Sequence, residues 1–203
     1  MNRLLTKQTL ILWPLILLLT ACSHHNRGER SSNSKIVYYQ LPMTTPVSTT
    51  DNSLIKTKQL QIAPIILTEL LNQQGIVYQI DPVRYVVASY NYWGSALDQQ
   101  LQQQLISQLT PVLPRYLVTS QPMLINNQVS KITVHVDQFN GRYDGSVVVS
   151  GNWLWQTEKG TQQHPFQFTL YQPSDGYNAL VLTLAKGWQQ LAQAIATSVA
   201  AQQ

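Results

Sequence analysis

Ile132-Thr133-Val134-His135-Val136-Asp137-Gln138-Phe139-Asn140-Gly141-Arg142-Tyr143-Asp144-Gly145 is the stretch on which the fold turns. Ile132, Val134 and Val136 alternate with Thr133, His135 and Asp137, the period-two pattern of a half-buried strand. The stretch then carries both Asn-Gly and Asp-Gly, the dipeptides whose tolerance of positive φ suits tight hairpin turns. Downstream, Val147, Val149, Gly151, Trp153 and Trp155 recur at period two. Lys159-Gly160 turns the chain again, and Phe166, Phe168 and Leu170 alternate before Pro173. Three consecutive strands joined by turns predict an antiparallel meander.

Two helical patterns flank it. Leu97, Leu101, Leu105, Ile106 and Leu109 form one apolar stripe, with Gln99, Gln100, Gln102, Gln103, Gln104 and Gln108 on the other face. Ser95 and Asp98 have capping-box spacing, and Pro111 and Pro114 are expected to stop the helix. The last helix is expected to start near Ser174-Asp175, with Asp175 as its cap. Its stripe is Tyr177, Leu180, Val181, Leu184, Trp188, Leu191, Ile195 and Val199. Shorter strands are predicted at Ile36–Leu41, Lys58–Ala63, Ile76–Ile80, Arg84–Tyr92 and Tyr116–Thr119, while Ile65–Leu71 is ambiguous. The fold class is α+β: a single domain whose largely antiparallel sheet carries two main helices.

The N-terminus reads differently. Arg3 and Lys7 precede the apolar run Leu10–Leu19, which has signal-peptide length and is too short to span a bilayer as a helix. Leu19-Thr20-Ala21-Cys22 resembles the lipobox of bacterial lipoproteins. Residues 1–21 are therefore expected to be removed, leaving Cys22, the sole cysteine, to carry a diacylglycerol and an N-acyl chain. Each buried CH₂ contributes about 0.8 kcal/mol, so several chains make a lasting anchor. Ser23 rather than Asp follows, and the resemblance to enterobacterial lipoproteins then implies sorting to the outer membrane, with the domain on its periplasmic face. Residues 22–35 are polar and aperiodic and read as a tether; those after Cys22 reach roughly 43–47 Å when extended. Residues 36–203 form the folded domain, within which Met43–Thr57 is a Thr, Ser and Pro-rich loop.

Composition excludes several classes. The formal charge of +4 loses two positive residues with the signal, and only 11% of residues are charged, so nucleic acid is not an expected partner. With Cys22 lipidated, the domain has no disulfide. Nucleophile-elbow, zinc-protease and Walker patterns are missing from the sequence, so neither an enzyme nor a cofactor beyond the lipid is expected. His24-His25 lacks further ligands for a metal site. His135 sits two residues from Asp137, which puts both on one strand face; that pair suits acid–base work or simply a solvated face.

Two segments suit contacts instead. Tyr90-Asn91-Tyr92-Trp93 crowds aromatics before a helix, and Arg142-Tyr143-Asp144 occupies a hairpin tip. Aromatic and Arg side chains are the usual interface anchors, which makes Asn91, Trp93, Arg142, Tyr143 and Asp144 candidates for partner or subunit contact. Core-edge packing of Trp93 and plain turn chemistry at the tip are the alternatives.

Several ordered blocks carry a resemblance. Tyr38-Tyr39-Gln40-Leu41-Pro42, Gly75-Ile76-Val77-Tyr78-Gln79, Asn91-Tyr92-Trp93 followed by Leu97-Asp98-Gln99-Gln100-Leu101, and Phe139 to Gly145 are similar to the auxiliary lipoproteins of ABC-type and MCE transport systems. Val149-Ser150-Gly151-Asn152-Trp153 and Asp175-Gly176-Tyr177 follow in the same order. The resemblance implies partners: a periplasm-spanning MCE-domain tunnel protein that moves lipids and, indirectly, an inner-membrane integral protein. It implies docking of the tunnel at the outer membrane, support of membrane integrity, and a homo-oligomeric ring. The Met43–Thr57 loop has no recognisable motif. A rival reading is a lipoprotein that itself binds a lipid or other apolar ligand.

Overall fold

The computed structural model describes residues 35–43, 58–122 and 129–201. The signal segment, Cys22, the tether up to Ser34 and most of the Met43–Thr57 loop lie outside them. The element order is β1 (Val37–Tyr39), β2 (Lys58–Ile62), β3 (Ile66–Leu67), β4 (Gly75–Gln79), β5 (Tyr85–Trp93), α1 (Leu97–Val112), β6 (Tyr116–Thr119), β7 (Val129–Arg142), β8 (Ser146–Thr157), β9 (Gly160–Tyr171) and α2 (Tyr177–Ala200). The ambiguous Ile65–Leu71 segment resolves into the two-residue β3 followed by turns.

The strands make one sheet organised around β7. Along one edge β7 pairs antiparallel with β8, which pairs antiparallel with β9, giving the expected meander. Along its other edge β7 takes β2, β3 and β4 in succession, all parallel and all short. Beyond these, β6 pairs parallel with β2, β5 antiparallel with β4, and β1 parallel with β5. The long ladders are antiparallel and the short ones mostly parallel. Strands of two to five residues carry no periodicity long enough to reveal their direction.

A bulge divides β7. Val136 pairs with Gly151 and Gln138 with Ser150, which leaves Asp137 without a cross-strand partner. Inward positions therefore pass from Ile132, Val134 and Val136 to Phe139 and Gly141. Gly151 lies opposite the bulge, where a Cβ would collide with the His135 carbonyl oxygen. Gly141 is a strand residue, not a turn residue as the Asn-Gly reading expects. The Tyr78 ring lies over it within 2.7 Å of where a Cβ would stand, so the glycine serves close packing. The turn itself is made around Gly145, at φ 79°.

α2 crosses the inner face of the meander, and α1 packs beside it near β2 and β6. Both leucine stripes are buried as the periodicity predicts: Leu97, Leu101, Leu105 and Leu109 on α1, and Leu180, Leu184, Leu191, Ile195 and Val199 on α2. Trp188 ties the layers together. Its indole N–H donates to the Leu101 carbonyl at 3.0 Å, and Phe139 meets its ring edge-on at 6.2 Å.

The predicted caps are absent. Ala96 and Gly176 occupy the N-cap positions of α1 and α2, and neither start has a side-chain cap hydrogen bond. Ser95 and Asp175 thus sit one step too early. Helix α1 also runs one residue past Pro111, ending at Val112.

Candidate contact surface

The two candidate contact segments lie at opposite ends of β4. Tyr92 pairs with Gly75 at its start, whereas Arg142 pairs with Gln79 at its end. The fold does not bring them into one site.

At the first segment, Trp93 is only 6% exposed and packs on Phe139 with ring centroids 6.1 Å apart. Its bulk completes the core where β5 leads into α1. Asn91 is half-buried, and its side-chain oxygen accepts the Tyr39 hydroxyl at 3.2 Å. This fixes β1 against β5. Tyr38 and Tyr92 stand together on the other face, with centroids 6.1 Å apart.

At the second segment, the Arg142 Nε donates to the buried Gln79 side chain at 2.8 Å. Asp144 accepts from the Ser146 hydroxyl at 2.6 Å and from its backbone N–H at 2.9 Å. Those bonds, the hydroxyl's first, hold the Asp144 carboxyl below its usual range. Arg142 and Asp144 therefore serve the hairpin, and Tyr143 between them is the aromatic side chain presented to solvent, at 50% exposure. The β4–β5 turn is built the same way. Asp81 accepts the backbone N–H groups of Val83 and Arg84 and pairs with the Arg84 side chain, which lowers its pKa.

His135 is half-buried in β7, and the bulge at Asp137 breaks the alternation that would set the two on one face. His164 is stacked on Trp153, with ring centroids 4.2 Å apart. Among the described residues no group of three His, Cys, Asp or Glu is placed to hold a metal ion. No described helix is long and apolar enough to cross a membrane.

The sequence reading missed the work done by the α1 glutamines. Gln100 and Gln104 are buried. The Gln100 amide oxygen accepts the Leu41 N–H at 2.9 Å, and the Gln104 amide donates to the Pro42 carbonyl at 2.7 Å. Gln102 donates to the Ile62 carbonyl at 3.0 Å. These amides satisfy backbone groups that end β1 and β2. The signal was present in the spacing, since Gln100 and Gln104 immediately precede Leu101 and Leu105 and border the apolar stripe. Gln104, Gln108, Pro42, Leu182 and Lys186 also line a cleft of about 420 Å³ between α1, α2 and the segment after β1.

Residues 39–196, which span all the elements from β1 into α2, match the family described as the ABC-type transport auxiliary lipoprotein component. The chain is 37% identical over 185 residues to the intermembrane transport lipoprotein PqiC of Escherichia coli (strain K12), covering 89% of this chain and 91% of that one. PqiC of Shigella flexneri matches to the same extent. A crystal structure of an uncharacterised protein, 36% identical, superposes with a TM-score of 0.72 over 81% of this chain and 99% of that one. A Xanthomonas campestris protein of 12% identity shares the fold, with a TM-score of 0.62 over 82% of this chain and 100% of that one.

Proposed function

This chain belongs to the ABC-type transport auxiliary lipoprotein family, and on that premise we propose that it docks a periplasm-spanning MCE-domain tunnel protein at the outer membrane. It is a transport component, not an enzyme, and that role involves no cofactor. Cys22, lipidated after removal of residues 1–21, holds it on the periplasmic face. Residues 22–35 give it reach, and identical copies gather into a ring around the tunnel's end. An inner-membrane integral protein is met only through the tunnel. The observation that carries this reading is the match to an intermembrane transport lipoprotein over nearly the full length of both chains.

The fold supports a docking role. Several of its polar side chains serve structure: Arg142 and Asp144 a hairpin, Gln100 and Gln104 helix attachment.

A second reading, in which the protein itself holds a lipid or other apolar ligand, draws on the cleft of about 420 Å³, a volume within the usual ligand range. Gln104, Gln108, Asn178, Gln189 and Lys186 share its lining with apolar residues.

Crosslinking of the tagged protein in gently solubilised envelopes, followed by mass spectrometry of what it retains, tests the docking role. Recovery of an MCE-domain protein is expected. Recovery of the lipoprotein alone, at a depth that detects other envelope complexes, overturns docking and leaves the ligand-holding role in first place.

A further inference from the structure

The topology gathers exposed apolar side chains at one end of the sheet. Because β4 and β7 run parallel, with Tyr78 level with Gly141 and Gln79 level with Arg142, the turns that follow them emerge together. Val83 on the first turn is 83% exposed, and Ile80 beside it 39%. Tyr143 on the second is 50% exposed, and Tyr171, paired with Ser146 where β9 ends, is 78% exposed. These four form an apolar crown.

Most of the charge at the crown is engaged by neighbouring groups, the exposed Asp175 beyond β9 excepted. Asp81 pairs with Arg84, Asp144 is bonded by Ser146, and Arg142 is held by Gln79. The opposite end differs: Lys58, Arg115, Lys131, Glu158 and Lys159 cluster where β2, β6, β7 and the β8–β9 turn begin or end. One end is apolar and nearly neutral, the other basic and polar.

The chain also approaches β1 from the direction of that end. β1 runs parallel to β5 and lies level with its last residues, Asn91–Trp93, so Lys35 and Ile36 head back along β5 toward the β4–β5 turn. Valine and isoleucine beside tyrosine suit the lipid–water boundary, where an aromatic ring buries its face and keeps its hydroxyl wet.

We propose that the crown of Ile80, Val83, Tyr143 and Tyr171 rests on the bilayer to which the chain is anchored, so that the domain stands on the membrane with its basic end toward the periplasm. This rests on the anchor reading of Cys22. It assigns Tyr143 a lipid neighbour and leaves the far end and the helices for protein partners. With most of its charge engaged by neighbouring groups, the contact is apolar in origin and therefore little affected by salt.

The test uses the full lipidated chain with either Val83→Cys or Lys159→Cys, each labelled with an environment-sensitive fluorophore. The variants are reconstituted into phosphatidylethanolamine–phosphatidylglycerol vesicles containing a doxyl-labelled lipid as quencher. Both positions are exposed turn residues, so folding is not at stake. The expected result is several-fold stronger quenching at position 83 than at position 159, unchanged by added salt. Equal quenching at the two positions, with the protein retained on the vesicles, overturns the crown and leaves the anchor standing. Shielding of position 83 from a water-soluble quencher without quenching by the doxyl lipid places a protein there and overturns it as well. If the unaltered chain itself takes the thiol label, Cys22 is free, and the anchor falls together with the crown.

Discussion

The C-terminal meander and the N-terminal half of the sheet are built on different principles. Strands β7, β8 and β9 hold one another through long antiparallel ladders of ten or more residue pairs, interrupted only by the bulge at Asp137. Strands β1 to β6 are two to nine residues long, and their parallel pairings extend over four residue pairs at most. Backbone pairing suffices to define the meander. The N-terminal half is instead assembled onto β7 and α1, and side chains finish its hydrogen bonding. Gln100 and Gln104 reach the backbone after β1, and Gln102 reaches the end of β2.

Trp188 is where the two constructions meet, so its removal is expected to have the largest effect. It is fully buried, bonds to α1 through Leu101 and packs on Phe139 of β7. Trp188→Ala should cost about 3–5 kcal/mol, the range for deleting a buried large aromatic. Denaturant unfolding followed by far-ultraviolet dichroism checks it. Both halves should loosen in one transition; two separated transitions would show that the halves are independent.

That same division explains what was legible in the sequence. The meander announced itself because long alternation and Gly-containing turns are local signals, and the α1 and α2 stripes did so at helical spacing. Parallel attachment of β2, β3 and β4 to one edge of β7 left no trace in so few residues. The bulge at Asp137 was hidden because an extra residue in a strand shifts the alternation without changing its composition. The glutamines of α1 looked like a solvent face because amides are normally exposed; burial becomes acceptable only through carbonyls and N–H groups supplied by distant segments. The contact candidates split for a related reason. Local crowding of aromatics at Tyr90–Trp93 does not distinguish a core edge from a surface, and the structure gives Trp93 to the core while leaving Tyr143 outside.

Gly151→Ala tests the meander alone. Its added Cβ has nowhere to go except into the backbone carbonyl of His135, which the β7–β8 ladder fixes opposite the bulge. A loss of about 2–3 kcal/mol is expected, as for overpacking in a tight interior. Hydrogen exchange should accelerate across β7, β8 and β9 together. Acceleration confined to the residues flanking position 151 would mean that the ladders are less cooperative than their length suggests.

A substitution in the other half should act more locally. Gln100→Ala strips the Leu41 N–H of its acceptor in a buried setting, with an expected cost of about 1–2 kcal/mol. The Leu41 amide should exchange markedly faster, while amides of β8 keep their protection once the change in global stability is subtracted. Equal acceleration in β8 would erase the contrast between the halves.

The smallest expected effects compare one acidic turn from each half. Asp81 in the β4–β5 turn and Asp144 in the β7–β8 turn both have lowered pKa values; Asp144 is exposed and Asp81 partly so. A carboxyl whose folded-state pKa is depressed stabilises the fold above its unfolded value, here near 3.8. That contribution is lost as pH falls through the folded pKa. Asp81→Asn and Asp144→Asn should therefore each lower stability slightly near neutrality, and the differences from the native chain should vanish well below pH 3.8. Salt separates the two. The Asp81 shift includes the exposed Arg84 pair, which mobile ions screen, whereas Asp144 owes its shift first to the Ser146 hydroxyl and N–H. Raising the ionic strength should shrink the Asp81 difference and leave the Asp144 difference nearly intact. Equal salt sensitivity would show that the Asp144 turn is held by charge, placing the meander's tip under the same control as the turn of the N-terminal half.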